Sequence, residues 1–89
     1  MKTRVASISI IVENFDSVEK LNALLHDYGK YIIGRMGLPY HKRKLNIISV
    51  AMKASPDIIN SLTGKIGRID GISAKTAFSN YDFEDEGEA

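Results

Sequence analysis

The side chains able to carry acid–base or metal chemistry are few and scattered. The chain of 89 residues contains two histidines, His26 and His41, and no cysteine. A transition-metal site usually needs three or four clustered ligands, so we expect no bound metal and no cofactor. No spacing of serine, histidine and carboxylate suggests a nucleophile with a base beside it. The sequence therefore predicts a protein that is not an enzyme.

A run of cations is the clearest candidate for a binding surface. The candidate partner-binding residues are Tyr40, His41, Lys42, Arg43 and Lys44. We interpret this run as a mobile hairpin loop that is either only solvated or in contact with a protein or a small anion. Cations beside tyrosines can also hold nucleic acid through phosphate contacts and base stacking. The chain has no recognition helix and no RNA-binding aromatic motif, so nucleic acid is the weaker alternative.

The charges are distributed unevenly along the chain. Five of the eleven acidic residues lie within residues 82–89, which leaves residues 1–81 with twelve basic and six acidic residues, a net charge of +6. We expect one domain over 1–81, followed by a disordered acidic tail over 82–89. Such a tail solubilises the protein, covers the basic body or contacts a partner.

The hydrophobic pattern predicts six elements. Four segments alternate in polarity or are rich in β-branched residues, which indicates strands: 4–13, 30–39, 45–54 and 72–79. In two further segments, 17–28 and 56–69, apolar residues recur at helical spacing. The order β-α-β-β-α-β predicts an α+β, ferredoxin-like fold with a four-stranded antiparallel sheet and both helices on one face. Right-handed crossovers place the first and third strands in the centre.

Capping residues indicate where the two helices begin and end. Asp16, with Glu19 three residues later, is the expected N-cap of the first helix. Gly29 is expected to end that helix with a positive φ. Ser55 followed by Pro56 is the expected start of the second helix.

Each predicted helix has only one apolar stripe, so the two helices cover only one face of the sheet. Apolar residues such as Ile11 and Ile33 remain on the other face. An uncovered apolar face usually marks an interface, and we expect a homodimer or a larger homo-oligomer, formed through the sheet face or a sheet edge. No apolar run approaches the ~18 residues of a membrane span, and no signal peptide is evident. We therefore expect a cytoplasmic protein without membrane contact.

Three segments together resemble a known family. Residues 31–40 (YIIGRMGLPY), 47–50 (IISV) and 62–76 (LTGKIGRIDGISAKT) are similar to the iron-only hydrogenase system regulators. The resemblance implies an ACT-like domain, similar to the C-terminal ligand-sensing domain of nickel-responsive repressors, with a regulatory role. The His-rich metal site and the DNA-binding segment of those repressors have no counterpart here. Residues 13–16 (ENFD) replace the Asp-x-Pro-Gly turn of amino-acid-binding ACT domains, so neither nickel nor an amino acid is implied.

These considerations predict a regulatory domain whose small-molecule effector binds at a subunit interface. The candidate ligand-binding residues lie in the loop after the first strand and in the glycine-containing second strand: Glu13, Asn14, Phe15, Gly34, Arg35 and Gly37. Glycine allows a ligand or a second backbone to approach closely. The alternative is a protein–protein interaction module without a small ligand.

Overall fold

Four strands and two helices account for most of residues 2–84, the part of the chain that the computed structural model describes. The elements are β1 (Lys2–Val12), α1 (Val18–Asp27), β2 (Ile32–Tyr40), β3 (Leu45–Ala54), α2 (Pro56–Gly67) and β4 (Ile72–Glu84). The sheet order is β2-β3-β1-β4, and every neighbouring pair is antiparallel. The predicted ferredoxin-like fold, with β1 and β3 in the centre, is confirmed.

The core lies between the helices and one face of the sheet. Alternate residues of β1 point into it because side chains alternate across a strand. On the helix side, one stripe of each helix is fully or almost fully buried. The buried apolar residues of these three elements are Ala6, Ile8, Ile10, Val12, Leu21, Leu25, Ile59, Leu62 and Ile66. No helix within residues 2–84 is long and apolar enough to cross a membrane.

The two helices start differently. At α2, Ser55 Oγ accepts a hydrogen bond from the Ile58 N–H over 3.3 Å, and Pro56 occupies the first turn, as predicted. At α1, the chain first makes a short 3-10 turn over Phe15–Ser17, and the Asn14 side chain accepts from the Asp16 N–H over 3.0 Å. The predicted N-cap role of Asp16 is therefore wrong, because the extra turn moves the capping oxygen two residues earlier.

The glycine that needs a left-handed backbone is not the one that the sequence suggested. Gly29 belongs to a second 3-10 turn, Gly29–Tyr31, without a positive φ. Within residues 2–84 only Gly71 has a positive φ, at 73°. A Cβ on Gly71 would overlap the Asn14 side chain and lie 3.0 Å from the Asn14 nitrogen. This position therefore requires glycine both for its backbone angle and for the space around it.

Strand β4 continues past the point where the sequence predicted a tail. After an irregularity opposite Arg4 and Ala6, Asp82 and Glu84 pair with Arg4 and Lys2 of β1. Residues 82–84 are therefore strand rather than disordered tail, and residues 85–89 lie outside the described residues. An acidic segment can form a strand because strand pairing uses backbone groups. The charge of Asp82 is balanced by β1, where Arg4 Nε donates to Asp82 Oδ1 over 2.6 Å.

Candidate functional site

Strand β2 is the least covered element of the sheet. Among residues 2–84 it pairs with β3 alone, at an edge of the sheet, and every residue in it except Ile32 is exposed. The register pairs Met36 with Ser49 and Leu38 with Ile47, whereas the intervening Ile48 is buried on the helix side. Because side chains alternate, Met36, Leu38 and Ile47 share the face that is turned away from the helices.

These three residues form an exposed apolar patch, which we call the open-face patch. Met36 is 60% exposed, Leu38 56% and Ile47 36%. Ile33 extends the exposed apolar surface of β2, at an irregularity in its pairing with β3. Since a monomer rarely leaves a large contiguous apolar surface in water, this edge of the sheet is suited to association.

A cavity of about 250 Å³ lies between the loop before α1 and the end of the β2–β3 hairpin. Its lining residues are Phe15, Pro39, Tyr40, His41, Arg43, Lys44, Leu45 and Asn46. Phe15, a candidate ligand-binding residue, thus lies in the same cavity as four of the five candidate partner-binding residues. Lys42 lies in the same hairpin but does not line the cavity.

The other two loop residues predicted to bind a ligand are engaged by the turn between α2 and β4. The Glu13 N–H donates to the Gly71 carbonyl over 2.7 Å, and Asn14 Nδ2 donates to Asp70 Oδ2 over 3.0 Å. Ser17 Oγ donates to the Asp70 carbonyl over 2.7 Å. These bonds hold the loop in place, and they direct the Asn14 amide toward Asp70 rather than toward the cavity.

The three predicted ligand-binding residues of β2 do not line this cavity. Arg35 Nη2 donates to Asn22 Oδ1 of α1 over 3.1 Å. A Cβ added to Gly34 would have no neighbour within 4 Å, and one added to Gly37 would come only to 4.0 Å from Ile48 Cγ1. Among residues 2–84, therefore, no atom fills the position that a Cβ would take at either glycine, and the space on that side of them is open.

Sequence reasoning missed a polar cluster between the two helices. Lys65 Nζ donates to the Tyr28 hydroxyl over 2.9 Å, and Ser61 Oγ lies 3.2 Å from the same oxygen. The hydrogen bond from Lys65, with a smaller contribution from Ser61, lowers the pKa of Tyr28. The helical spacing had indicated only that Tyr28 belongs to the apolar stripe of α1, and no sequence signal paired it with Lys65.

The histidines do not assemble a metal site in the described part of the chain. His26 lies on α1 and His41 in the hairpin turn, and both are exposed. Among residues 2–84 there is no group of three or more His, Cys, Asp or Glu side chains that could hold a metal ion.

The fold defines a ferredoxin-like domain, and its β2 edge carries exposed apolar residues. A family model described as "TM1266-like: Iron-only hydrogenase system regulator, putative" matches residues 4–76. The chain belongs to this family of iron-only hydrogenase system regulators, and the resemblance noted in the sequence is confirmed. The solved structure of the uncharacterized protein TM1266 from Thermotoga maritima is similar, with a TM-score of 0.81 and 31% identity over 85% of this chain and 96% of that one. No curated protein matches the sequence.

Proposed function

We propose that this chain is a non-enzymatic regulatory domain of an iron-only hydrogenase system and that it acts as a homo-oligomer. Membership of the regulator family supports the regulatory role. The observation that carries the oligomer is the open-face patch on and beside β2, which no element within residues 2–84 covers.

Pairing through β2 fits both the backbone and the side chains of that strand. The outer edge of β2 presents unpaired N–H and C=O groups, which a strand of a second copy can bind. The opposite edge strand, β4, carries charged residues such as Lys75 and Asp82 and an irregularity in its pairing. Charges and irregular pairing protect an edge from strand addition, but β2 has an irregularity of its own, between Ile32 and Gly34. The preference for association through β2 therefore rests on its single charge and on the exposed apolar residues of the open-face patch.

We infer that a small-molecule effector would bind between subunits and shift their packing. Arg35 is not among the residues that line the cavity at Phe15. In an oligomer formed through β2, the loop of one subunit can face Gly34, Arg35 and Gly37 of another. An effector that binds one packing arrangement more tightly than another shifts the population toward it.

The oligomer is tested by light scattering on the purified chain at tens of micromolar. Wild type is expected to have the mass of at least two chains. Leu38→Lys places a charge in the open-face patch and is expected to reduce the mass to one chain. Ala23→Lys, at an exposed position of α1, is the charge-matched control and is expected to behave as wild type. A monomeric wild type would contradict the proposal.

The regulatory role is tested in cells that make the hydrogenase. Removal of the chain is expected to change hydrogenase activity, and wild type or Ala23→Lys is expected to restore it, whereas Leu38→Lys is not. Hydrogenase activity that is indifferent to removal would count against regulation.

The effector is tested by melting the chain with amino acids, nucleotides and divalent metals. A ligand at 100 times its dissociation constant adds about 2.7 kcal/mol of stability, which shifts a small domain by several degrees. A flat panel would favour the interaction module without a small ligand, with the exposed hairpin end Tyr40–Lys44 as its contact surface.

A further inference from the structure

We propose that the cavity between Phe15 and the end of the β2–β3 hairpin binds a nucleoside monophosphate or a closely similar ring-bearing anion. All eight lining residues belong to one chain. The inference therefore depends neither on the oligomer nor on the regulatory role. The cavity shares Phe15 with the site suggested between subunits, but Gly34, Arg35 and Gly37 do not line it.

The aromatic lining supplies the surface for a flat ring. Phe15 is 46% exposed and Tyr40 is 45% exposed, although both line a concavity. Within residues 2–84, neither ring packs against another aromatic ring. Half-exposed rings with no aromatic neighbour are available to stack on a base, and such stacking contributes about 1–3 kcal/mol per base in nucleic-acid complexes.

The charged lining favours an anion that carries more than one negative charge. None of the eight lining residues is acidic, whereas Arg43 and Lys44 are cations and His41 lies between them and Tyr40. Among the described residues, neither Arg43 nor Lys44 has a side-chain hydrogen bond or an ion pair. An arginine fork binds phosphate oxygens in pairs, and two cations together suit a phosphate better than a single carboxylate.

The size of the cavity limits the ligand. Its volume of about 250 Å³ is below the ~300–1,000 Å³ typical of sites for drug-sized molecules. A ligand no larger than one base joined through one ribose to one phosphate therefore suits it. Asn46 adds an amide that can both donate and accept at the edge of a base.

Calorimetric titration with four probes tests the proposal. Adenosine monophosphate carries both the ring and the phosphate, adenosine only the ring, and ribose 5-phosphate and inorganic phosphate only the charge. Adenosine monophosphate is expected to bind saturably and at least tenfold more tightly than each of the other three. Equal binding of inorganic phosphate, or no binding of adenosine monophosphate, would overturn the proposal. Much tighter binding of a short RNA would overturn it in favour of a nucleic-acid surface.

Four variants, two of them controls, connect the binding to this cavity. Arg43→Gln and Phe15→Leu are each expected to weaken the binding of adenosine monophosphate at least tenfold, with melting temperatures close to wild type. Arg68→Gln removes an exposed arginine at the end of α2 and is expected to bind as wild type. If Arg43→Gln and Arg68→Gln weaken binding equally, only the overall charge matters and the site is wrong. Leu38→Lys is expected to retain binding even if it is monomeric, which separates this result from the test of the oligomer.

Discussion

Asn14 and Asp70 are joined side chain to side chain, with Asn14 Nδ2 donating to Asp70 Oδ2 over 3.0 Å. Asn14 follows β1 and Asp70 precedes β4, so this bond ties two neighbouring strands together at one end of the sheet. The Glu13 N–H adds a bond to the Gly71 carbonyl. The loop that contributes Phe15 to the cavity is therefore held by the turn on its other side.

Replacing Gly71 is expected to be costly. Gly71→Ala places a Cβ at a φ of 73° and against the Asn14 side chain. The left-handed backbone alone costs about 1–2 kcal/mol, and the overlap adds to it, so we expect a loss of more than about 2 kcal/mol in the free energy of unfolding. Urea denaturation measures this loss.

The matched control is Gly64→Ala, inside α2. A Cβ there meets no atom within 4 Å, and alanine favours a helix over glycine by roughly 0.5–1 kcal/mol. Gly64→Ala is therefore expected to stabilise the domain. Equal effects of the two substitutions would show that Gly71 has no special conformation.

The Asn14–Asp70 bond is tested by a double-mutant cycle. Asn14→Ala removes both this bond and the cap on the Asp16 N–H, and the loss of a cap typically costs about 1 kcal/mol. Asp70→Ala removes only the bond between the two side chains. We expect Asn14→Ala to destabilise more than Asp70→Ala, and the double variant to be less destabilised than the sum. Strict additivity in thermal unfolding would show that the two side chains do not interact.

The sequence predicted most of the fold because the pattern repeats over whole elements. The alternation along β1 and the apolar stripe of α2 each involve many residues, so one residue that departs from the pattern does not change the predicted element. Strand order followed from crossover handedness. In contrast, the cap at Asn14 and the positive φ of Gly71 each depend on one loop whose path is fixed by distant contacts. The sequence marked residues 70 and 71 as a turn, but it assigned the cap to Asp16 and the positive φ to Gly29.

The candidate site was predicted only in pieces. The run Tyr40–Lys44 and Phe15 were each singled out by residue type, yet nothing in the sequence indicated that they line one cavity. That relation depends on how the end of the hairpin lies relative to the loop before α1 in the folded chain. The spacing of residues within either segment does not show it. The strand at residues 82–84 was missed because its acids resemble a solvated tail.

The lowered pKa of Tyr28 predicts a stability difference at high pH. Lys65 favours the ionised phenol in the folded protein, so Tyr28 releases its proton at a lower pH than in the unfolded chain. Stability gained in this way appears as pH rises through the folded pKa and is complete above the unfolded value of about 10. Tyr28→Phe is expected to remove this gain.

Tyrosinate absorbance in the near ultraviolet measures the same effect directly. The difference titration between wild type and Tyr28→Phe is expected to report one phenol with a pKa below its ordinary value. Lys65→Gln is expected to move that pKa upward, and Ser61→Ala is expected to move it by less, because Lys65 makes the larger contribution. An unchanged titration in Lys65→Gln would contradict the assignment.

The far end of β4 is tested by truncation. Ending the chain after Asn80 removes the strand that pairs with Lys2, Thr3 and Arg4. Each net backbone hydrogen bond is worth about 0.5–1.5 kcal/mol, and we expect a loss of at least about 1 kcal/mol in the free energy of unfolding. Ending the chain after Glu84 retains these pairs and serves as the control. Equal stability of the two truncated chains would show that residues 81–84 add nothing to the sheet.

The central position of β1 has a consequence for synthesis on the ribosome. β1 leaves the exit tunnel before the other five elements, yet its partners begin only at Leu45 and Ile72. Its pairing with β4 runs from Val12 with Ile72 to Lys2 with Glu84, and so spans nearly the whole described chain. Contacts this distant slow folding, and strands that wait without partners are prone to aggregate. The strand of this domain that is made before the others is thus not fully paired until β4 is complete, and it is the strand that a nascent-chain chaperone would need to shield.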